Sequence, residues 1–528
     1  MGAFGEGGAP SRALIANSGV AIRSGWLARC RLGVRALSNG FDTDVLIVGA
    51  GPAGLVLACE LARRGLAFRL VEQRGEPLRA SRGKGVQPRT QEIFEDLGVL
   101  EAFQAVSGPY PPLRLMEGEN VLGERPFNEQ VEATEDIPYP NMMMSPQWRT
   151  DAVLRERLGE LGGHVEYGTA LGAFVQDEAA VTAELDVAGA LRSVRSRYLV
   201  GTDGGRSSVR AALDLAFPGE TMDQPRMLFG DVTVEGLSRD AWWMWPSAAG
   251  NVGLCPLPHV ETFQLMITLA PGEEPELSEP AVASLFESRT GRTDLRLRDP
   301  SWLSIFTPSL RLAEAYQRGR VFIAGDAAHV HPPTGAQGLN TSVQDAYNLG
   351  WKLALVLQGV ASDALLATYE SERRPIAEAV LDISSAIARQ QGGVGSQPRG
   401  RQTQQLDISY RSSVLSLHRG RPDRALVAGD RAPDAIYVDH EGRRRRLFEA
   451  FRGPHFTLLT FGAVDAPASS EGPQMEVVRL PTDGQAALTY GISGPSIVLV
   501  RPDNYIGLID ESPAPTTVSD YLSAALQA

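Results

Sequence analysis

The residues best suited to chemistry near the start of the chain form a glycine-rich turn. The turn directly follows a short apolar, β-branched strand pattern, Asp44–Val48, and a helix pattern comes after it. With G-x-G-x-x-G spacing, the first glycine permits the bend and the second lets backbone N–H groups approach a pyrophosphate, while the third lets the helix pack against the strand. The turn comprises Gly49, Gly51, Pro52, Ala53 and Gly54.

A second strand pattern ends in an acidic residue that completes a dinucleotide-binding arrangement. Glu72 follows the apolar segment Leu66–Val71 and lies 23 residues after Gly49, close to the separation of about 20 that such sites use. Its carboxylate can accept hydrogen bonds from ribose hydroxyls, and the positive N-terminus of the intervening helix suits phosphate. We therefore assign Glu72 and the adjacent Gln73 to a dinucleotide site, which this pattern leaves open to FAD or NAD.

Two later strand patterns each lead into an aspartate. Asp203 begins a D-G turn, and Asp326 ends a G-D pair at the carboxyl edge of a buried strand, where α/β folds bind ligands. The glycine-rich segment 333–340 then opens a helix, so its backbone can approach a flat polar ring or a phosphate. For Asp203 a tight turn without a ligand remains an alternative. His329 and His331 are interpreted as packing or capping residues.

These three motifs, in this order, resemble those of the single-component, FAD-dependent aromatic hydroxylases related to p-hydroxybenzoate hydroxylase and phenol hydroxylase. The segments Ser81–Glu92 and Gln147–Leu154 also resemble segments of that family which contact the flavin. The resemblance implies that Glu72 binds the adenosine ribose and that Asp203 serves both FAD and the nicotinamide cofactor. It also implies flavin-side roles for Arg82, Gln147, Asp326, Pro333, Gly335, Gly338, Leu339 and Asn340.

The same resemblance implies a monooxygenase that hydroxylates a phenolic or polyphenolic ring with NAD(P)H and O2, through a flavin C4a-hydroperoxide. FAD would be the resident cofactor and NADPH or NADH a transient co-substrate, because no second G-x-G-x-x-G follows a strand pattern. The residues identify no catalytic side chain and no metal ligands. Two alternatives stay open. One is a flavin-dependent halogenase, because Trp243–Pro246 faintly resembles a tryptophan motif of halogenases, and the other is a non-catalytic FAD-binding protein.

The elements that must position these residues predict an α/β fold. We expect a Rossmann-like FAD-binding domain over residues 42–390, interleaved with an antiparallel-sheet substrate domain from residues 110–145 and 217–304. Met142–Met144, Trp242, Trp243 and Trp245 could line an aromatic-accepting pocket there, although core packing is the commoner role for such side chains.

The last part of the chain follows a flexible linker, residues 391–404. Residues 405–528 resemble the thioredoxin-like C-terminal domain of phenol hydroxylase and of the hydroxylases that tailor aromatic polyketides. This segment contains no cysteine, so we expect a structural role or a homodimer surface rather than thiol chemistry.

The composition excludes several other classes of protein. With 528 residues, 43% hydrophobic residues and a net charge of −13, the chain suits several folded domains and is too acidic for a general nucleic-acid surface. No apolar run reaches the roughly 20 residues that a membrane span needs. Three widely spaced cysteines form no metal or dithiol motif. The resemblance implies a small aromatic substrate and O2 as partners.

The first 41 residues differ from the acidic remainder. They hold five arginines, one acidic residue and no lysine. An arginine-rich, serine-containing segment of this kind is typical of organellar transit peptides. We expect a cytoplasmic protein, with a mitochondrial location as the alternative if this segment is a targeting peptide.

Overall fold

The computed structural model describes residues 40–221, 226–332, 334–389, 401–421, 423–464 and 472–527. Pro333, most of the N-terminal extension (residues 1–39) and most of the expected linker (residues 391–400) lie outside the described residues. Within the described residues, no helix is both long and apolar enough to cross a membrane.

The strands of the first half of the chain are β1 (Thr43–Val48), β2 (Phe68–Glu72), β3 (Gly85–Val86), β4 (Leu113–Glu117), β5 (Asn120–Arg125), β6 (Met143–Met144), β7 (Val165–Tyr167), β8 (Thr169–Gln176), β9 (Val181–Val187) and β10 (Ala190–Gly201). The strands of the middle are β11 (Gly219–Thr221), β12 (Met227–Glu235), β13 (Trp242–Trp245), β14 (Val252–Pro256), β15 (Thr262–Thr268), β16 (Arg296–Phe306), β17 (Ser309–Leu312), β18 (Gln317–Arg318), β19 (Val321–Ile323) and β20 (His329–Val330). The C-terminal strands are β21 (Leu417–Arg419), β22 (Ile436–Val438), β23 (Arg444–Arg446), β24 (Phe456–Phe461), β25 (Met475–Leu480), β26 (Ser496–Val500) and β27 (Ile506–Asp510).

The helices are α1 (Pro52–Ala62), α2 (Pro88–Leu97), α3 (Leu100–Val106), α4 (Gln147–Glu160), α5 (Ser208–Ala212), α6 (Glu279–Thr290), α7 (Gly338–Leu357), α8 (Ala364–Arg389), α9 (Arg401–Gln404), α10 (Leu447–Phe451), α11 (Gln485–Thr489) and α12 (Thr517–Gln527). Short 3-10 turns occupy Gly325–Ala327 and Thr334–Ala336.

A parallel sheet forms the centre of the first unit. Its parallel strands lie in the order β19-β10-β1-β2-β7, and β8 and β9 extend β10 as an antiparallel ribbon. Every residue of β1 is buried, as expected for a strand covered on both faces. Because β1, β10 and β19 are parallel neighbours, the glycine turn, the D-G turn and the G-D pair meet at one edge of the sheet.

A second, largely antiparallel sheet stands beside the first. Its order is β16-β12-β15-β14-β13-β4-β5, and only the β13–β4 pair is parallel. Side chains alternate between its two faces along each strand. Trp243 and Trp245 therefore pack with Phe286 of α6 on one face, whereas Trp242 and Met244 lie on the other. The α/β class with an interleaved antiparallel sheet is confirmed.

The C-terminal unit is a five-stranded sheet in the order β21-β27-β26-β24-β25. β24 pairs in parallel with β25 and antiparallel with β26, and β26 and β27 form a hairpin that turns at Pro502–Asn504. One face of this sheet packs against Trp351 and Leu365, which belong to α7 and α8. The thioredoxin-like assignment of this unit stays a prediction.

Buried charges join the C-terminal unit to α7 and α8. The Arg501 guanidinium donates to Glu372 Oε1 and Oε2 at 2.7 and 2.9 Å and also pairs with Asp503. Lys352 donates to Glu372 Oε2 at 2.7 Å, and the Trp351 indole N–H donates to Asp503 Oδ2 at 3.0 Å. Since all these side chains are almost fully buried, the charges are compensated within the protein rather than by water.

Candidate functional site

The glycine turn after β1 has the geometry that a close-approaching ligand requires. Gly49 adopts φ +105°, and a Cβ there would lie 2.5 Å from the Thr202 carbonyl oxygen. A Cβ on Gly54 would lie 2.0 Å from the Gly49 carbonyl oxygen, so this glycine is needed for helix packing. A Cβ on Gly51, in contrast, would meet no atom within 4 Å. The chain thus leaves space over Gly51 and none over the other two glycines.

The N-terminus of α1 faces this space. Gly51 is the N-cap residue and supplies no side-chain cap, and Pro52 stands in the first turn, where an N–H is not needed. Ala53 lies against the G-D pair, since a Cβ on Gly325 would be 3.3 Å from the Ala53 Cβ. The helix dipole and uncapped N–H groups suit a phosphate at this point. These residues fit the pyrophosphate of a dinucleotide.

Glu72 lies at the end of β2, next to this turn. Its Oε2 accepts a hydrogen bond from the Ala50 N–H at 3.1 Å, and its Oε1 accepts from the N–H and guanidinium of Arg74 at 3.1 and 3.2 Å. The carboxylate is buried beside the turn, where it can reach a ribose bound at the edge of the sheet. Gln73 is exposed immediately after it.

The segment that contains Arg82 meets α4 and α7. The Gly83 N–H donates to Gln147 Oε1 at 3.0 Å, and a Cβ on Gly83 would lie 3.4 Å from the Leu339 Cδ1. Gln147 also hydrogen bonds to Asp151, one turn further along α4. Burial raises the pKa of Asp151 to about 7, although Arg155 and the Gln147 hydrogen bond act in the opposite direction. Three segments distant in sequence are therefore joined around Gly83.

Asn340 fixes the start of α7. Its Oδ1 accepts from the Gln87 N–H at 2.8 Å, and its Nδ2 donates to the carbonyls of Gly85 and Ala336 at 2.9 and 2.7 Å. Gly335 and Ala336 adopt φ +81° and +54°. Ala336 stands where the resembled family often carries glycine, and its left-handed φ explains why glycine suits this position. The Asn340 side chain holds this turn rather than facing outward.

Asp326 lies directly after β19, on the side of the sheet where Arg82 is found. Asp326 is exposed, yet desolvation by the surrounding protein raises its pKa. Electrostatic interactions with His329 and Arg82 oppose that rise. Gly338 lies against His331, because a Cβ on it would be 3.2 Å from the His331 ring. Burial and the neighbouring His329 lower the pKa of His331 to about 4.

Asp203 has its carboxylate occupied within its own turn. Oδ1 accepts from the Ser207 hydroxyl at 2.6 Å, and Oδ2 accepts from the N–H and hydroxyl of Ser208 and from the Val209 N–H. Gly204 adopts φ +82°. This geometry matches the tight-turn alternative and gives Asp203 a capping function at α5. Its cofactor contact stays a prediction.

Sequence reasoning missed several side chains that hold the site together. Asp345 of α7 is fully buried; it accepts from the Gly325 N–H at 3.0 Å, pairs with the His329 ring at 2.7 Å, and binds the Arg373 guanidinium at 2.8 Å. Gln87 donates from Nε2 to the Gly335 carbonyl at 3.0 Å. A polar residue on the buried face of an apolar helix was the available signal for Asp345.

A buried, methionine-rich cluster lies between the antiparallel sheet and the loop that contains Arg82. We call it the Met-rich wall and define it by one buried cluster: Tyr110, Leu113, Phe127, Met142, Met144, Met227, Trp242, Met244, Cys255 and Met266. Of the six residues that we expect at a pocket, Met142, Met144 and Trp242 lie here. Met143 packs instead against the core of the FAD-binding unit, and Trp243 and Trp245 lie on the opposite face of the sheet. A Cβ on Gly85 would touch Tyr110 Oη and Met142 Sδ at 2.9 and 3.1 Å.

Comparison with known proteins identifies the family. An FAD binding domain model matches residues 42–384, and an aromatic-ring hydroxylase C-terminal model matches residues 426–528. The chain belongs to the FAD-dependent aromatic-ring monooxygenases. Among curated relatives, a flavin-dependent monooxygenase of Mycobacteroides abscessus is 42% identical over 91% of this chain and 99% of its own length.

Two further proteins place this monooxygenase among hydroxylases of aromatic compounds. The 12-dehydrotetracycline 5-monooxygenase/anhydrotetracycline 6-monooxygenase of Streptomyces rimosus is 34% identical over 92% of this chain and 98% of its own length. A solved ternary complex of aklavinone-11 hydroxylase with FAD and aklavinone matches 93% of this chain and 100% of its own, with TM-score 0.78 and 28% identity. The FAD prediction is confirmed by the matching domain, and a halogenase is not favoured.

Proposed function

We propose that this monooxygenase hydroxylates a phenolic or polyphenolic ring held against the Met-rich wall, using O2 and NAD(P)H. One observation carries the proposal. The loop 81–87 contacts the cofactor-side residues Gln147 and Leu339 through Gly83, and it contacts Tyr110 and Met142 of the wall through Gly85. An aromatic ring at the wall would therefore lie one loop away from a flavin ring at the start of α7.

In this proposal the residues of the chain bind the cofactor, orient the aromatic ring and exclude water. The space over Gly51 and the α1 N-terminus would hold the pyrophosphate, Glu72 would hold the ribose, and Asp326 and Arg82 would hold the flavin side of FAD. Hydride acceptance from NAD(P)H and activation of O2 would be supplied by FAD when bound. The buried thioethers and aromatic rings of the wall keep water away from the reacting ring. No side chain needs to act as a nucleophile.

The test is substrate-stimulated NADPH and NADH oxidation by the FAD-loaded protein across a panel of phenols and polyphenols. We expect one class of compound to accelerate oxidation and to carry one oxygen atom from ¹⁸O-labelled O2 in its product. If no aromatic compound stimulates oxidation and no label enters any product, hydroxylation is refuted and the non-catalytic FAD-binding alternative gains support. A product that contains halogen only when halide is present would instead indicate a halogenase.

The homodimer, the cytoplasmic location and the thioredoxin-like tail remain part of the proposal. Sedimentation of the FAD-loaded protein tests the first, and fractionation of cells that express the full chain tests the second. A mitochondrial signal that disappears on deletion of residues 1–40 would support the transit-peptide alternative.

A further inference from the structure

Only two of the 50 basic side chains in this protein are lysines, Lys84 and Lys352, and all others are arginines. Both lysine ammonium groups are internal. Lys352 has an evident structural function, since its Nζ donates to Glu372 Oε2 at 2.7 Å and to Asn348 Oδ1 at 2.8 Å. Lys84 has a different environment, because its buried Nζ lies at the Met-rich wall.

The contacts of Lys84 place a positive charge beside an aromatic surface. Its Nζ lies 4.0 Å from the centre of the Trp242 ring, a cation–π distance. The ammonium also lies near the Cys255 thiol: burial raises the pKa of this thiol, and the charge of Lys84 opposes that rise. Trp242 and Cys255 both belong to the wall. Lys84 thus reaches the wall from the same loop whose Gly83 contacts Gln147 on the cofactor side.

A second donor lies at the same place. The Trp242 indole Nε1 is buried and has no hydrogen-bond partner among the described residues. It points toward β14, where a Cβ on Gly253 would lie 3.3 Å from it and 2.8 Å from Met244 Sδ. A buried donor without a partner is costly, and a polar atom of a bound ligand can satisfy it.

The nearby Asp231 carboxylate is engaged by the backbone of the same loop. Asp231 Oδ2 accepts from the Ser81 N–H at 3.0 Å. Burial raises the pKa of Asp231, against the Ser81 hydrogen bond and the charge of Lys84. Asp231 therefore balances the Lys84 charge through space while holding the loop.

We propose that Lys84 and the Trp242 indole N–H form a recognition site for an ionised phenolic oxygen, so that the wall selects phenolates over neutral phenols. This inference rests on the proposed function, because the aromatic ligand is that of the hydroxylation site. An ammonium held over an indole face is a donor suited to a phenolate oxygen on a ring packed against thioethers. Lys84 and Trp242 are thereby specificity-determining residues of this monooxygenase.

The experiment compares two phenols of nearly the same shape at pH 8: pentachlorophenol, which is ionised, and pentamethylphenol, which is neutral. FAD-loaded protein is titrated without NAD(P)H, and binding is read from the change in flavin absorption. The measured quantity is the ratio of the two dissociation constants, in which general damage to the wall cancels. We expect wild-type protein to prefer the ionised probe by about 10–100-fold, the equivalent of one charge-assisted hydrogen bond.

Matched variants then test the residues. Lys84→Met should abolish the preference, Lys84→Arg should retain most of it, and Trp242→Phe should reduce it while keeping an aromatic ring. Asp231→Asn should strengthen it, because the opposing charge is removed while an oxygen remains for the Ser81 N–H. Thermal unfolding of each FAD-loaded variant reports folding. A wild-type protein without the preference, or a folded Lys84→Met variant that keeps it, overturns the proposal; hydroxylation itself is tested separately by turnover.

Discussion

Gly51 and Gly54 stand three residues apart in one turn, and the structure predicts opposite consequences for an added methyl group. In Gly54→Ala the new Cβ would lie 2.0 Å from the Gly49 carbonyl oxygen and 2.8 Å from Thr202 Oγ1. Ordinary contact needs about 3.4 Å, so α1 must move away from β1, and overpacking of this kind costs about 1–3 kcal/mol. In Gly51→Ala no contact arises within 4 Å, and φ −79° is unstrained for alanine.

We therefore expect Gly51→Ala to keep the wild-type melting temperature as apoprotein and to lose FAD. The methyl group would occupy the space through which a pyrophosphate reaches the α1 N-terminus. Losing two hydrogen bonds to a charged group, each worth about 1.5–3 kcal/mol, would weaken FAD binding by at least about 100-fold. Titration of apoprotein with FAD, read by flavin fluorescence, measures this. A stable Gly51→Ala variant that binds FAD like the wild type would refute the placement of the pyrophosphate over Gly51.

Three further results are expected. Arg501→Met should lower the free energy of unfolding by about 3–5 kcal/mol, because it leaves the Glu372 carboxylate buried without its bidentate partner. Arg443→Met, which removes an exposed ion pair with Asp439, should lower it by no more than about 1 kcal/mol. Urea unfolding of both variants measures the difference. Asp326→Asn should weaken FAD binding by about 10–100-fold in the same fluorescence titration. Asp151→Asn should raise the melting temperature at pH 8 but hardly at pH 4. The folded-state pKa of Asp151, about 7, exceeds the usual value of 3.8, so the free energy of unfolding of the wild type falls by up to about 4 kcal/mol as the pH rises from the lower pKa through the higher one.

Local sequence patterns predict many of the elements of the flavin-binding unit. The strand before Gly49, the spacing to Glu72 and the strand before Asp326 each follow from residues within one short segment, and all of them have the expected form in the structure. What the sequence could not supply is the adjacency of β1, β10 and β19, which brings the three motifs to one edge. That order depends on pairing between strands more than 100 residues apart.

The parts that sequence reasoning left open depend on side chains that meet only in the folded protein. The carboxylate of Asp203 accepts hydrogen bonds within its own turn, which the D-G sequence alone does not reveal, and its contact with the cofactor stays a prediction. Neighbouring residues of β13 point to opposite faces of the sheet, so Trp242 faces the cofactor-binding unit and Trp243 does not. The sequence around Lys84 shows only one basic residue in a loop. Its contact with the Trp242 ring, which lies 158 residues later in the chain, forms only in the folded protein.

Helix α7 connects the C-terminal unit, which contains no cysteine, to the flavin-binding unit. At its first turn Asn340 holds the loop 81–87, and further along Asp345 holds the G-D pair through the Gly325 N–H. Trp351, about 17 Å from Asn340 along the helix, donates to Asp503 of the C-terminal unit. One rigid element thus joins the flavin-side loop to the buried charges of the tail. We therefore expect the tail to influence FAD binding by fixing the position of α7. A variant that loosens this junction should weaken FAD binding in the fluorescence titration although every predicted FAD-binding residue is unchanged.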